Sequence, residues 1–129
     1  MNPVLAAHLG RLRERHPAAT VRLLNGGAAL VTVPALSLPP GWLIATVTLH
    51  FLAPNGYPAA APDCFWTEPE LMLPGNRPPR NSNVSNKIPE ASITAHWFSW
   101  HVEQGQWSPN CHDLLTWLQL CLRRLQTLE

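Results

Sequence analysis

The segment around Ser99 carries side-chain types that could perform acyl transfer or hydrolysis. A serine hydroxyl becomes an effective nucleophile when a neighbouring base removes its proton. His101 lies two residues after Ser99, and on an extended segment side chains at that spacing project to the same face. His96 lies three residues before Ser99, which is a spacing of neighbours on a helix. The sequence therefore provides one candidate nucleophile and two candidate bases, and the local backbone decides between the histidines.

The three cysteines are the other candidate nucleophiles. Cys111 lies near the start of a predicted helix, where partial positive charge activates a thiol, although a small, partly buried helix residue is the commoner role. Cys121 falls on the apolar stripe of the same helix, and Cys64 lies in a short predicted strand. We therefore expect Cys64 and Cys121 to be core residues, which leaves Cys111 as the cysteine alternative to Ser99.

Three histidines and a cysteine in the last third of the chain raise the possibility of zinc: His96, His101, Cys111 and His112. Zinc requires three or four converging ligands, and the spacing of these residues matches no known zinc motif. We therefore predict no metal and no cofactor. The odd number of cysteines and the lack of an apolar leader segment at the N-terminus predict a reducing, cytoplasmic location.

The charge composition argues against two classes of partner. Charged residues make up 13% of the chain and the formal net charge is +1, so the concentrated basic face of a nucleic-acid binder or of a polybasic membrane anchor is missing. No run of about 20 apolar residues occurs, as a membrane span would need. We expect the six tryptophans to fill the core. The alternative is that a partner protein covers some of them, because aromatic residues are enriched at interface cores.

Hydrophobic periodicity and turn residues predict a single α+β domain spanning residues 1–129. A helix over residues 1–16, with Asn2 as its N-cap, precedes a four-stranded antiparallel meander at residues 20–24, 28–33, 42–51 and 64–66. Residues 68–92 contain many Pro, Asn and Arg residues and few core formers, which predicts a long irregular loop. A final helix begins at Ser108 or Asn110 and runs to about residue 125.

Two sequence blocks resemble the ubiquitin-conjugating enzymes. The block that begins Tyr57-Pro58 and ends Phe65-Trp66 is similar to the Tyr-Pro and Phe block that leads into that family's fourth strand. Trp107-Ser108-Pro109 is similar to the Trp-x-Pro that follows its active site. The resemblance covers nearly the whole chain and is closest to the bacterial conjugating-enzyme-like family E, through the additional motifs Phe98-Ser99-Trp100-His101 and His112-Asp113-Leu114.

The resemblance implies a ubiquitin-conjugating fold, in which the predicted long loop is the active-site loop. It also implies an activating enzyme and a ubiquitin-like protein as partners. The family's catalytic cysteine stands eight residues before the Trp-x-Pro tryptophan, a position that Ser99 occupies here. The family's His-Pro-Asn element is replaced by Ala91-Ser92. An amide to assist the reaction could come from the predicted loop, which holds Asn81, Asn83 and Asn86.

The leading hypothesis is a transferase in a bacterial ubiquitin-like conjugation pathway. Ser99 would accept the ubiquitin-like C-terminus as an oxyester, with His101 or His96 as its base. The alternative is a catalytically inactive binding module that docks an activating enzyme or a ubiquitin-like protein through its first helix and loops. A small hydrolase using Ser99 and His101 is a weaker interpretation, because no G-x-S-x-G turn and no obvious third member of a triad are present.

Overall fold

The computed structural model describes all 129 residues, as a mixed α/β structure with a helix near each end. The elements are, in chain order, α1 (Pro3–Arg15), β1 (Thr20–Leu23), β2 (Ala29–Ser37), β3 (Thr46–Ala53), β4 (Phe65–Glu68), β5 (Ser82–Ile88), β6 (Ile93–Phe98) and α2 (Leu114–Leu125). The strands form one sheet in the order β1-β2-β3-β4-β6-β5, with every neighbouring pair antiparallel. No helix combines the length and the apolar character that crossing a membrane requires.

The predicted opening helix is confirmed as α1. The side-chain oxygen of Asn2 accepts the backbone N–H of Leu5 at 2.7 Å, which satisfies one of the free donors at the helix start. Pro3 follows in the first turn, where its missing N–H costs nothing. Leu9 and Leu12 are buried on the face that packs onto the rest of the molecule. The helix therefore begins and ends within two residues of its predicted bounds.

The first four strands form the predicted meander. Leu24 and Ala28 bracket the β1–β2 turn, and the N–H of Leu24 donates to the carbonyl of Ala28 at 2.8 Å. Gly27 in that turn has φ +95°, a conformation that glycine adopts without steric cost. The Asn-Gly-Gly signal is thus confirmed as a hairpin that fixes the register between β1 and β2.

The predicted total of four strands is wrong, because the sheet has six. The predicted loop over residues 68–92 contains β5, and β6 follows it and pairs with β4. Most β5 residues are exposed because β5 is an edge strand, and a register shift between Asn83 and Asn86 breaks its alternation. The irregular loop is reduced to about residues 69–81. This correction matters for function, since β6 ends directly before Ser99.

Both helices contribute to the main hydrophobic core, together with one face of the sheet. Its fully buried aromatic residues include Phe51, Phe65, Phe98 and Trp117. Burial of each such side chain contributes on the order of 1.5–3 kcal/mol. A smaller apolar cluster includes Trp66, which lies on the opposite face of β4 from Phe65 because successive strand residues alternate. This packing holds β4 and β6, which carry the site described below, rigidly in the sheet.

The second helix begins later than predicted, at Leu114. Asp113 is its N-cap, and Thr116 completes a capping box with it through hydrogen bonds of 3.0 and 3.1 Å. Residues 108–112 form a turn, in which Cys111 donates its N–H to the carbonyl of Ser108. Cys111 is therefore exposed and outside the helix, contrary to the prediction that placed it in the first helical turn.

Candidate functional site

Ser99 lies one residue beyond the end of β6, half-buried, between two neighbouring segments. Its N–H donates to the carbonyl of Asn81 at 2.8 Å, which ties it to the end of the 69–81 loop. On the other side, the N–H of Cys64 donates to the carbonyl of Trp100 at 2.8 Å. These two bonds extend the strand pairing past β6, so the backbone is held through Ser99 on one side and through Trp100 on the other.

His101 is the histidine that the structure brings to Ser99. Its Nε2 lies 3.3 Å from the Ser99 hydroxyl oxygen. Its Nδ1 contacts a carboxylate oxygen of Asp63. Asp63 lies two residues before the start of β4. A carboxylate at Nδ1 keeps the proton on that nitrogen, so that Nε2 presents its lone pair to the hydroxyl. Ser99, His101 and Asp63 therefore form a hydroxyl–imidazole–carboxylate chain.

The chain of three residues is accessible to solvent. The side chains of His101 and Asp63 are 59% and 65% exposed. Asp63 was not among the residues singled out from the sequence, and its carboxylate lies where the third member of a triad would be, the member that the hydrolase interpretation lacked. Its contact with His101 joins residues 38 positions apart, and it depends on the pairing of β4 with the unpredicted strand β6.

His96, the other predicted base, is fully buried and engaged elsewhere. Its Nδ1 accepts the N–H of Leu71 at 2.9 Å, and its Nε2 lies 2.9 Å from the hydroxyl of Ser82, which donates to the carbonyl of Pro79. Burial lowers the pKa of His96, and the carboxylate of Glu70 partly opposes that shift. The structure does not bring His96 to Ser99; its ring anchors the 69–81 loop to β6.

The three cysteines occupy three different environments. Cys121 is fully buried, as predicted, and burial raises the pKa of its thiol. Cys64 is not the predicted core residue, because it precedes β4, is partly exposed and has φ +61°. Burial raises the pKa of the Cys64 thiol as well, although less strongly. Ligand atoms of Cys64, Asp63 and His101 all lie within 4.8 Å of one another, which places this thiol beside the candidate site.

A groove of about 770 Å³ opens beside Ser99 and His101. Asn81 forms part of one side, and the α2 side chains of Thr116 and Arg123 form part of the other. The volume is within the range of small-molecule and peptide pockets. The groove therefore leaves room for a ligand beside the Ser99 hydroxyl.

Indole hydrogen bonds fix the segment that leads away from Ser99. The Nε1–H of Trp100 donates to the carbonyl of Leu120 in α2 at 3.1 Å, and that of Trp107 donates to the carbonyl of Pro58 at 2.8 Å. Trp100 and Trp107 both pack against the main core. This agrees with the expectation that tryptophans fill the core, and it gives the site a rigid base.

The asparagines proposed as an amide source are distributed unevenly around the site. Asn81 lines the groove and accepts the N–H of Ser99 through its backbone carbonyl. The side-chain oxygen of Asn86 accepts the indole N–H of Trp66 at 3.0 Å and is therefore already engaged. Asn83 pairs with Trp97 on the edge strand β5. Of these three asparagines, Asn81 is the one that both lines the groove and bonds the backbone of Ser99.

Comparison with protein-family models matches residues 14–128 to the family described as prokaryotic E2 family E. Comparisons with curated proteins and with solved structures gave no match. The matched range includes every strand, α2 and all residues of the candidate site.

Proposed function

The chain belongs to prokaryotic E2 family E, and from this premise we propose that it carries a ubiquitin-like protein on Ser99 as an oxyester. The observation that carries the proposal is the contact chain from the Ser99 hydroxyl through His101 to Asp63. A serine in place of the cysteine of the ubiquitin-conjugating enzymes requires a base, and Nε2 of His101, 3.3 Å from the hydroxyl oxygen, supports that role. The helix near each end and the antiparallel sheet between them support a ubiquitin-conjugating fold, to which β5 and β6 are added.

In the proposed reaction, Ser99 attacks the carbonyl carbon of a thioester held by an activating enzyme. Nε2 of His101 removes the hydroxyl proton as the new C–O bond forms. The C–S bond then breaks, and the departing sulfur takes the proton from His101. The Asp63 carboxylate stabilises the imidazolium that exists between these two proton transfers. The products are the Ser99 oxyester and the free thiol of the activating enzyme.

The groove beside Ser99 supports a protein C-terminus as the acyl group. Such a tail is extended and narrow, and a cavity of about 770 Å³ holds several residues of it. Arg123 and Asn81 both line this groove, and their guanidinium and amide groups are of the kind that hydrogen-bond the backbone carbonyls of such a tail. In a second step, an amine of the acceptor attacks the oxyester, and Ser99 regains its proton.

The same three residues favour a second candidate function, hydrolysis of the acyl group. Serine, histidine and a carboxylate in this order form the triad of many unrelated hydrolases. If His101 delivers a water molecule to the Ser99 ester, the product is a free C-terminal carboxylate. The two functions share the acyl-serine intermediate and differ in whether an amine or water removes the acyl group.

The experiment combines the protein with a matched activating enzyme and ubiquitin-like protein, together with ATP. Intact-mass spectrometry should show an adduct that hydroxylamine or base removes and that thiols do not remove. Ser99→Ala should abolish the adduct, whereas Ser37→Ala, at an exposed position on β2, should retain it. An adduct that persists in Ser99→Ala would contradict the proposal. Absence of any adduct in the wild type would favour the binding module, and rapid release without an amine would favour the hydrolase.

A further inference from the structure

A cluster of three potential metal ligands lies just before β4 and just after β6. We propose that Asp63, Cys64 and His101 form a binding site for Zn²⁺. The carboxylate oxygen, the thiol sulfur and a ring nitrogen lie within 4.8 Å of one another. Oxygen, sulfur and imidazole nitrogen are the ligand types that zinc binds in proteins.

The distances are close to those of a metal centre. Zinc–ligand bonds of about 2.0–2.3 Å in a tetrahedron separate the ligand atoms by roughly 3.5 Å. Atoms up to 4.8 Å apart therefore need to approach by roughly 1.3 Å at most, whereas the Asp63 and His101 atoms, which are in direct contact, need to separate to admit the ion. Asp63 and His101 are exposed, so their side chains can make this small adjustment and the ion has a path from solvent. Three protein ligands leave the fourth position open for water or an incoming group.

The backbone holds the ligands in place from two strands. The N–H of Cys64 donates to the carbonyl of Trp100, the residue directly before His101. One residue further along, Phe65 pairs with Phe98 and both rings are fully buried. The thiol and the imidazole are therefore attached to segments that flank neighbouring strands, and the core fixes the spacing of those strands. The Ser99 hydroxyl at Nε2 gives the second ring nitrogen a hydrogen-bond partner, as is usual for metal-binding histidines.

Zinc binding would also change the chemistry at Ser99, a consequence that depends on the proposed function. The nitrogen of His101 that faces Asp63 is Nδ1, so the ion would take the lone pair of Nδ1. The proton of the ring then resides on Nε2, where it donates to the Ser99 hydroxyl and cannot accept the hydroxyl proton. The zinc-bound protein would accordingly form the Ser99 adduct slowly or not at all.

The test of the site uses Co²⁺ as a spectroscopic substitute for Zn²⁺, with the full chain, fresh reductant and no acyl donor. A Co²⁺ ion bound by Cys64 should give a thiolate-to-cobalt absorption band in the near ultraviolet, and Zn²⁺ should remove it. Cys64→Ser should eliminate the band and weaken Zn²⁺ binding at least about 100-fold, because even the loss of an outer partner costs 10–100-fold. Asp63→Asn, a change at an exposed side chain that leaves the core untouched, should weaken binding about 10-fold or more.

Two control variants separate this site from the rest of the chain. Cys111→Ser removes the exposed cysteine outside the cluster and should leave the cobalt band unchanged. Ser99→Ala should also retain the cobalt band, although it should abolish the acyl adduct. The cobalt band therefore tests the metal site alone, and the acyl adduct tests the proposed function alone. The proposal would be overturned if the wild-type protein gave no cobalt band. It would also be overturned if the band survived in Cys64→Ser and disappeared in Cys111→Ser.

Discussion

Replacement of Asp63 by asparagine tests whether its carboxylate holds His101 as the base for Ser99. Asparagine keeps the size of the side chain and removes the charge that faces Nδ1 of His101. A hydrogen bond to a charged group contributes about 1.5–3 kcal/mol. Since the two side chains are 65% and 59% exposed, solvent screening places this pair at the lower end of that range. About 1.4 kcal/mol corresponds to a factor of ten in rate, so we expect adduct formation to slow about tenfold.

The assay is the initial rate of adduct formation followed by intact mass, with a chelator present so that no metal ion occupies the cluster. His101→Gln removes the base itself and should slow the reaction by about 100-fold or more. Glu14→Gln removes one carboxylate from the exposed face of α1 and should have the wild-type rate. A wild-type rate in Asp63→Asn, alongside a slow His101→Gln, would refute the idea that the carboxylate orients the imidazole.

Three further predictions concern the scaffold of the site. His96→Ala should lower the free energy of unfolding by about 3 kcal/mol in urea denaturation, because it leaves the buried N–H of Leu71 without an acceptor and opens a cavity. Asp113→Ala should lower it by about 1 kcal/mol, with Asp113→Ser retaining most of the stability, since either Asp or Ser caps a helix. Burial lowers the pKa of three histidines, His8, His16 and His96, below the ordinary value of 6.5. The stability that these neutral histidines contribute is therefore fully present above pH 6.5 and is lost as the pH falls through their lowered pKa values. Thermal melts from pH 7 to pH 4.5 should show this decline, and His96→Gln should make it shallower.

The elements that local signals define were predictable from the sequence. Asn2-Pro3 marks the start of α1, and the Asn25-Gly26-Gly27 turn sets the first hairpin. The apolar stripe of α2 was also predictable, including the buried position of Cys121. These features depend on the backbone preferences of a few neighbouring residues or on a simple period, and both can be read without knowledge of distant contacts.

The β5–β6 hairpin was not predictable by the same means. β5 has the sequence Ser-Asn-Val-Ser-Asn-Lys-Ile, and its edge position lets polar residues face solvent on most of its length. Ser85 adopts φ +53° within the bulge, which disrupts the alternation that identifies a strand. Without β6 as a strand, the sequence offers no reason to place Asp63 beside His101. The third residue of the candidate triad therefore emerged only from the pairing of β4 with β6.

The exposure of the site constrains how a carrier could work. An oxyester on Ser99 would lie beside His101, a base that is 59% exposed and therefore in contact with water. The same imidazole that activates Ser99 could activate that water, so the isolated protein should lose its acyl group by slow hydrolysis. A carrier needs the groove to be covered while it is loaded, and under the proposed function the ubiquitin-like protein attached to Ser99 would be the molecule that covers it. We therefore expect the oxyester of the full ubiquitin-like protein to outlast an oxyester made from only its C-terminal peptide, as measured by the decay of adduct mass. Equal lifetimes for the two esters would mean that the folded part of the ubiquitin-like protein leaves the site open, and hydrolysis would then be the better account of what Ser99 does.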